Sequence, residues 1–440
     1  MQNHHESVKN TLMSIISDME KTTMLYAKNP EKDFIRTRKL PFATMVKQII
    51  CMGGNTLTKE LMDAYGYDPD CVTSSAFVQQ RSKILPQAFE FLLQDFTATC
   101  ANIKRYKGYR LLAGDGSSLN IAHNPNDSET YYRMKHVSKG YNLLHLNALY
   151  DLCSKVYVDA FVQPGMGNED RGLATLVDRS GINDKVIVTL DRGYECYNNM
   201  AHIEQKGWHY VIRVKDVLSS GGILSGLKLP TEGEFDIPIS FTLTRKQTNA
   251  VKSQPDSYNL LKKATTFDYC DLHDNKLYPI SFRVVRVLLT NGEYESLITN
   301  LPADEFSPHE LREIYRRRWG IETSFRELKY LIGLANFHSK KREFIAQEIF
   351  ARLVMYNFVS IITVAVIIPT SGKKHDYRVN FSHAVIVCRQ FLRLRNNEPP
   401  LNVETLLKKC LTPIRPNRNG QVGTRKNTSK APFSFIYRIS

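Results

Sequence analysis

The 440-residue sequence predicts an α/β fold: a mixed sheet core flanked by helices, with a β-rich insertion, a helical N-terminal region and a helical, then irregular, C-terminal region. Three observations predict it. Apolar residues recur at helical spacing near the start of the chain, as at Val8, Leu12, Ile15, Ile16 and Met19. From residue 109, short apolar runs alternate with helical patterns in the order β-β-β-α-β-α-β. Residues 216–301 then lose helical periodicity and read as strands. The boundaries follow: a helical region over 1–104, a core over 105–340 with its insertion at 216–301, and a C-terminal region over 341–440.

In the first region "FATMVKQIICM" reads as one helix, and "SSAFVQQRSKILPQAFEFLLQDF" as two divided by Pro86, with Ser74 or Ser75 as N-cap. Arg81 and Lys83, read as exposed, suit contact with DNA; packing or dimerisation is the alternative use of these helices. The core opens with "YRLLAGDGSSLNI", read as a short strand ending at Asp115 followed by a Gly-Ser turn. "NLLHLNALYDL" and "KVYVDAFVQP" read as two strands joined by a tight turn, and "NEDRGLATLVDRSG" as a helix closed by Gly181. "DKVIVTLDRGY" is a strand whose apolar run stops at Asp191. A helix ending at Gly207 and the strand "HYVIRVK" complete the set. In the insertion, Asn291-Gly292 predicts a two-residue hairpin turn. "FSPHEL" is a helix start, with Ser307 as N-cap, Pro308 first and Glu310 closing a capping box. Nothing stops that helix before Gly333, because one internal glycine, Gly320, costs only about 1 kcal/mol.

Charge and cysteine usage narrow the function classes. A net charge of +15 favours a polyanionic partner, nucleic acid before an anionic membrane. From residue 405 onward there are eight basic residues and no acidic one, a pattern that tracks phosphate or is merely solvated. The eight cysteines show no C-x-x-C pair, which argues against a zinc site and a disulfide scaffold and suits a reducing cytoplasm. The uncharged stretch at 353–369 is read as a buried core helix rather than a membrane span.

The stretch "IYRRRWGIETSFRELK" carries the chemistry. On a helix, Tyr315, Arg318, Trp319, Glu322, Arg326 and Lys329 share an arc of about 100°. Ile314, Ile321, Phe325, Leu328 and Ile332 form a separate apolar stripe that docks the helix. Alone, Glu322 is explained by ion pairs to Arg318 and Arg326 at i,i±4 spacing. Two further acids change its meaning. Asp115 and Asp191 each end an apolar strand, and in this strand order the first and fourth strands are neighbours, so both carboxylates reach one edge of the sheet. With Glu322 they make three hard oxygen ligands beside Arg and Lys, a set suited to Mg²⁺ and a phosphodiester. Asp151 falls at a turn, Asp159 within a strand, and Asp170 and Asp178 on a helix that needs soluble residues, while Glu327 lies off the arc that holds Glu322.

The spacing Tyr315-x2-Arg318-x3-Glu322-x6-Lys329 resembles the Y-R-E-K signature of a group of bacterial insertion-sequence transposases with an Asp-Asp-Glu (DDE) triad. "AGDGSSL" and "TLDRGY" resemble that family's two aspartate motifs, and an insertion before the Glu is typical of it. The resemblance covers roughly residues 105–335. It implies a ribonuclease H-like fold and a cut-and-paste transposase, with Asp115, Asp191 and Glu322 holding two Mg²⁺ ions, or Mn²⁺ in their place. Tyr315, Arg318 and Lys329 would grip phosphates of the transposon ends. Trp319 would stack on an extruded base or pack at the helix edge; Arg326 joins the same basic face, and Arg192 meets DNA or balances local charge. The implied partners are double-stranded DNA (terminal inverted repeats and target) and a second copy of the chain in the DNA complex, with no membrane. A structure-specific endonuclease on the same fold and a non-cutting DNA-binding regulator are the competing readings.

Overall fold

A computed structural model of the chain describes residues 4–36, 39–133, 140–165, 169–273, 275–368, 375–394 and 398–414. Its centre is a mixed sheet, built from β1 (Arg110–Ile121), β2 (Tyr131–Tyr132), β3 (Tyr141–Asp151), β4 (Val156–Pro164), β5 (Val186–Leu190) and β6 (His209–Val214). The insertion adds β7 (Phe235–Thr244), β8 (Tyr258–Leu260), β9 (Leu277–Leu288) and β10 (Tyr294–Thr299). The order is β2-β3-β1-β5-β6-β10-β9-β7-β8, with β4 also on β3. Within it, β4-β3-β1-β5-β6 is the ribonuclease H-like core: β1 pairs antiparallel with β3 and parallel with β5, as the strand order predicts. The insertion therefore extends the same sheet through β10 on β6. All five residues of β5 are buried, as expected of a parallel strand covered on both faces.

Helices cover both faces. On one lie α6 (Glu169–Arg179) and α7 (Tyr197–Gln205), with Leu173, Leu176, Val177, Met200 and Ile203 in the core. On the other lie α9 (Pro308–Arg317) and α10 (Trp319–Glu327). The short α8 (Asn249–Lys252) lies in the insertion. Among its described residues the N-terminal region has five α-helices, α1 (His4–Lys21), α2 (Phe42–Cys51), α3 (Leu57–Tyr65), α4 (Ser74–Arg81) and α5 (Gln87–Cys100). They share one apolar cluster with α10, with α11 (Arg342–Val364), and with α12 (Phe381–Arg393) and α13 (Val403–Lys409). Helix α11 is long and apolar enough to cross a membrane, but 94% of its apolar window is buried in the protein's own interior. The C-terminal strands β11 (Tyr377–Val379) and β12 (Leu411–Pro413) pair with each other.

Several expectations need correction. β1 does not end at Asp115: it runs on to Ile121, and Gly116, Ser117 and Ser118 stay paired with Asn147, Leu146 and His145. The glycines of "AGDGSS" are close-approach residues and not turn residues. A Cβ at Gly114 would lie 2.7 Å from Leu190 Cδ2, and one at Gly116 would lie 2.2 Å from His145 Nε2. The N-cap of α4 is Thr73, whose side chain accepts from Ala76 N–H. Arg81 is 1% exposed and turned inward, so it offers nothing to DNA; Gln347, Phe344 O and Glu348 take its guanidinium. Lys83, half-buried, donates to Gln80. Gly181 is not in the left-handed region, unlike Gly207 at φ 74°. The β9–β10 hairpin turns at Thr290-Asn291-Gly292: Leu289 N–H reaches Glu293 O and only Gly292 has positive φ. That is a three-residue bulged loop, because Asn291 stays out of the left-handed region. Of the basic C-terminal tail, residues 415–440 lie outside the described residues.

Candidate active site

Asp115 and Asp191 meet because β1 and β5 run parallel. Ala113 is level with Thr189, so two residues further on Asp115 comes level with Asp191. Each carboxylate is held by a nearby glycine amide: Gly116 N–H donates to Asp115 Oδ1 at 2.9 Å, and Gly193 N–H to Asp191 Oδ1 at 2.7 Å.

Glu322 arrives on α10. Ser307 and Glu310 form the predicted capping box at the start of α9. The backbone stays helical through Arg318, at φ −52° and ψ −30°, although the ladder breaks there into α9 and α10. Gly320 lets the helix come close to β3: a Cβ there would lie 2.9 Å from Leu152 Cδ2. The predicted docking stripe, Ile314, Ile321, Phe325, Leu328 and Ile332, is buried throughout. After α10 a π-helical turn, Leu328–Ile332, carries Lys329 and ends at Gly333, φ 104°. Such turns insert one extra residue and re-aim the side chains around them.

Between the carboxylates lies Arg318. Its Nη2 donates to Glu322 Oε1 at 2.5 Å and its Nη1 is 3.7 Å from Asp115 Oδ2. Nε and Nη1 are buried with no hydrogen-bond partner. Lys329 Nζ donates to Ser118 O at 3.0 Å, close enough to Asp115 for their charges to act on each other. Burial pushes Asp115 up to about 7; the charges of Asp191 and Glu322 push the same way, while Gly116 N–H and Arg318 pull it down. The three acids thus form one electrostatic unit with too little positive charge inside it.

Two expected surface groups are not on the surface. Tyr315 and Arg318 are each 5% exposed, so the basic arc is not an open face. Tyr315 sits in the apolar layer under α9, and Arg318 stacks over its ring at 5.6 Å. A wheel shows only angle; here the sheet edge closes over that side of the helix. Arg326 and Arg192 are exposed, and the Glu322–Arg326 pair does not form among the recorded ion pairs. Trp319 is 56% exposed, with the Arg318 guanidinium 5.8 Å from its ring. It lines a groove of about 840 Å³ with Lys104, Lys155, Arg316, Arg317 and Arg378; none of the three carboxylates lines this groove.

Among the described residues, no three His, Cys, Asp or Glu side chains are gathered tightly enough to hold one ion as they stand. The chemistry of the set nevertheless fits a hard divalent cation. All donors are carboxylate oxygens and Asp115 is destabilised as an anion; the unpaired Nε and Nη1 of Arg318 are donors, which suit an anionic oxygen beside such a cation.

The sequence reading weighed Asp170 and Asp178 of α6 but passed over Glu169, which the structure brings beside the site. Its carboxylate lies 3.3 Å from His145 Nε2. No periodicity signals this, since it depends on how the first turn of α6 meets β1 and β5.

Comparison with known proteins adds three findings. A family model described as the transposase DDE domain matches residues 106–358, more than half of the chain. Two Escherichia coli relatives, the transposase for insertion sequence element IS421 and, from strain K12, InsL of insertion sequence element IS186A, are each 27% identical over 200 residues. The matched part is 41% of this chain and 52% of each relative, so the chain spans about half the length of the curated relatives it matches. A solved structure, the cryo-EM piggyBac transposase synaptic complex with hairpin DNA, aligns over 83% of this chain and 73% of that one, at TM-score 0.42 and 11% identity.

Proposed function

This chain belongs to the transposase DDE domain family, and from that premise we propose that it is a cut-and-paste DNA transposase. It would bind the inverted repeats at transposon ends, hydrolyse the phosphodiester there and join the freed 3′-hydroxyls to target DNA. The observation that carries this reading is the convergence of Asp115, Asp191 and Glu322, level on neighbouring strands and one facing helix, in a single unbalanced field. The Y-R-E-K spacing supports assignment to that insertion-sequence group.

Asp115, Asp191 and Glu322 are the residues that would hold two Mg²⁺ ions, or Mn²⁺. Bound there, the ions would activate the attacking hydroxyl and stabilise the leaving oxygen. The chain's own groups do the rest. Arg318 balances the carboxylates in the free protein; its fork geometry lets it exchange Glu322 for a phosphate. Tyr315 supports Arg318 from beneath. Lys329 holds a point charge beside Asp115, and Arg326 and Arg192 extend positive charge outward. Trp319 offers an open ring for an extruded base, which suits a hairpin intermediate on the end. Two ends imply two copies of the chain, a homodimer on DNA working in the cytoplasm at the nucleoid.

The test is a duplex carrying the inverted repeats that flank the gene. Mg²⁺-dependent nicking at the repeat boundary, followed by joining to a plasmid, is expected. Cleavage without joining would favour a structure-specific endonuclease, and neither activity with binding retained would favour a regulator.

A further inference from the structure

A fourth carboxylate faces the candidate metal site from the opposite side of the sheet. Glu169 opens α6, and its two oxygens reach toward the glycines that follow each aspartate. A Cβ on Gly116, next to Asp115, would lie 3.1 Å from Glu169 Oε1. A Cβ on Gly193, two residues after Asp191, would lie 3.5 Å from Glu169 Oε2. Glu169 thus lies beside both Gly116, within β1, and Gly193, just past the end of β5; the approach at Gly116 is close and the one at Gly193 is ordinary contact. Burial and the charge of Asp191 raise its pKa, so it already shares the field of the site.

His145 fixes where that carboxylate sits. It lies on β3 and is 4% exposed. Its Nε2 points into the space beside Gly116, 3.3 Å from Glu169 Oε1. A buried imidazole at that distance holds the carboxylate on the side of Gly116 and Asp115.

We propose that Glu169 is a fourth carboxylate ligand of the divalent-cation site, with His145 as the positioning residue that orients it. It stands on the α6 side of the cluster and Glu322 on the α10 side, so a bound cation would meet a carboxylate from each helix layer. The proposal rests on the reading of Asp115, Asp191 and Glu322 as metal ligands, and its test separates the two.

The experiment counts Mn²⁺ on the full-length protein by calorimetry and electron paramagnetic resonance, with Mg²⁺ as competitor. Glu169→Gln is expected to weaken Mn²⁺ binding about tenfold or more, and His145→Asn by about tenfold. Glu169→Gln should also raise the melting temperature without metal, because it removes a like charge; a residue with a merely structural role would lower it. Mn²⁺ affinity within twofold of wild type in Glu169→Gln overturns the proposal, and if Asp115→Asn loses binding in the same series, the metal-site reading survives. No Mn²⁺ binding by the wild type overturns both. Should Glu169→Gln not fold, His145→Asn decides: Mn²⁺ affinity weakened about tenfold supports the proposal, and affinity within twofold of wild type overturns it.

Discussion

Two buried charge clusters lie at opposite ends of the α10 segment, and they are built on opposite principles. At the helical junction, Glu348 is fully enclosed and saturated. It accepts from Arg81 at 2.9 Å, from Arg352 at 3.0 Å and from His338 at 3.0 Å. The two guanidiniums go on to Gln347, Phe344 O, Gly53 O and Gly333 O, tying α4, α11 and the end of the π-helical turn together. Burial alone would raise the Glu348 carboxyl, but Arg81, His338 and Arg352 hold it far below the usual range. At the sheet edge, Asp115 and Glu322 share one arginine with two unpartnered nitrogens, Asp191 adds a further negative charge, and Asp115 is pushed up to about 7. A satisfied cluster fixes geometry; an unsatisfied one marks where a ligand is expected.

Substitution should separate the two, and the largest effect is on activity. Alanine at Asp115, Asp191 or Glu322 is expected to reduce end cleavage by about a thousandfold or more with the fold intact. Gel-resolved cleavage and circular dichroism check this; substantial activity in any one removes that residue from the triad. Glu348→Ala acts in the other sense. It leaves two guanidiniums uncompensated and should cost about 3–5 kcal/mol of stability, read from denaturant unfolding. A loss below 1 kcal/mol would mean the junction is not held by this network.

Titration sharpens the contrast because the signs differ. Glu348 has a lowered pKa, so its stabilisation is present above about pH 4.5 and is lost as pH falls below that. Asp115 has a raised pKa, so stability is lost as pH rises from 3.8 to about 7. Without divalent ions, Asp115→Asn should therefore be more stable than wild type by about 4 kcal/mol at pH 8 and close to it near pH 4. Thermal melts at the two pH values check this; a destabilised variant at pH 8 contradicts the unbalanced field. The smallest effect is on Lys329→Ala, which should weaken end binding and lower the slope of log K against log salt by about 1. An unchanged slope would leave Lys329 with only its bond to Ser118 O.

How much of this was legible depends on range. Local signals read well: the capping box at Ser307, the run of the helical segment to Gly333, and the buried stripe from Ile314 to Ile332. So did the neighbouring of the first and fourth strands, because chain connectivity restricts the pairing. Arg81 and Arg318 misled because charge suggests exposure, and only the partners Glu348, Asp115 and Glu322 make burial possible. Gly114 and Gly116 misled because glycine serves both turns and close approach, and the sequence does not say which neighbour closes in.

By itself the sequence determined the alternation of strands and helices, the three acids in order, and the helix that carries Glu322, all properties of near neighbours in the chain. Tertiary structure alone decided that the insertion extends the sheet, that Arg318 turns inward, that Trp319 stands open, and that Glu169 and His145 face the site through the gap at Gly116. The reason is physical: burial and electrostatic balance are sums over groups far apart in sequence, and they take their values only once the chain has packed.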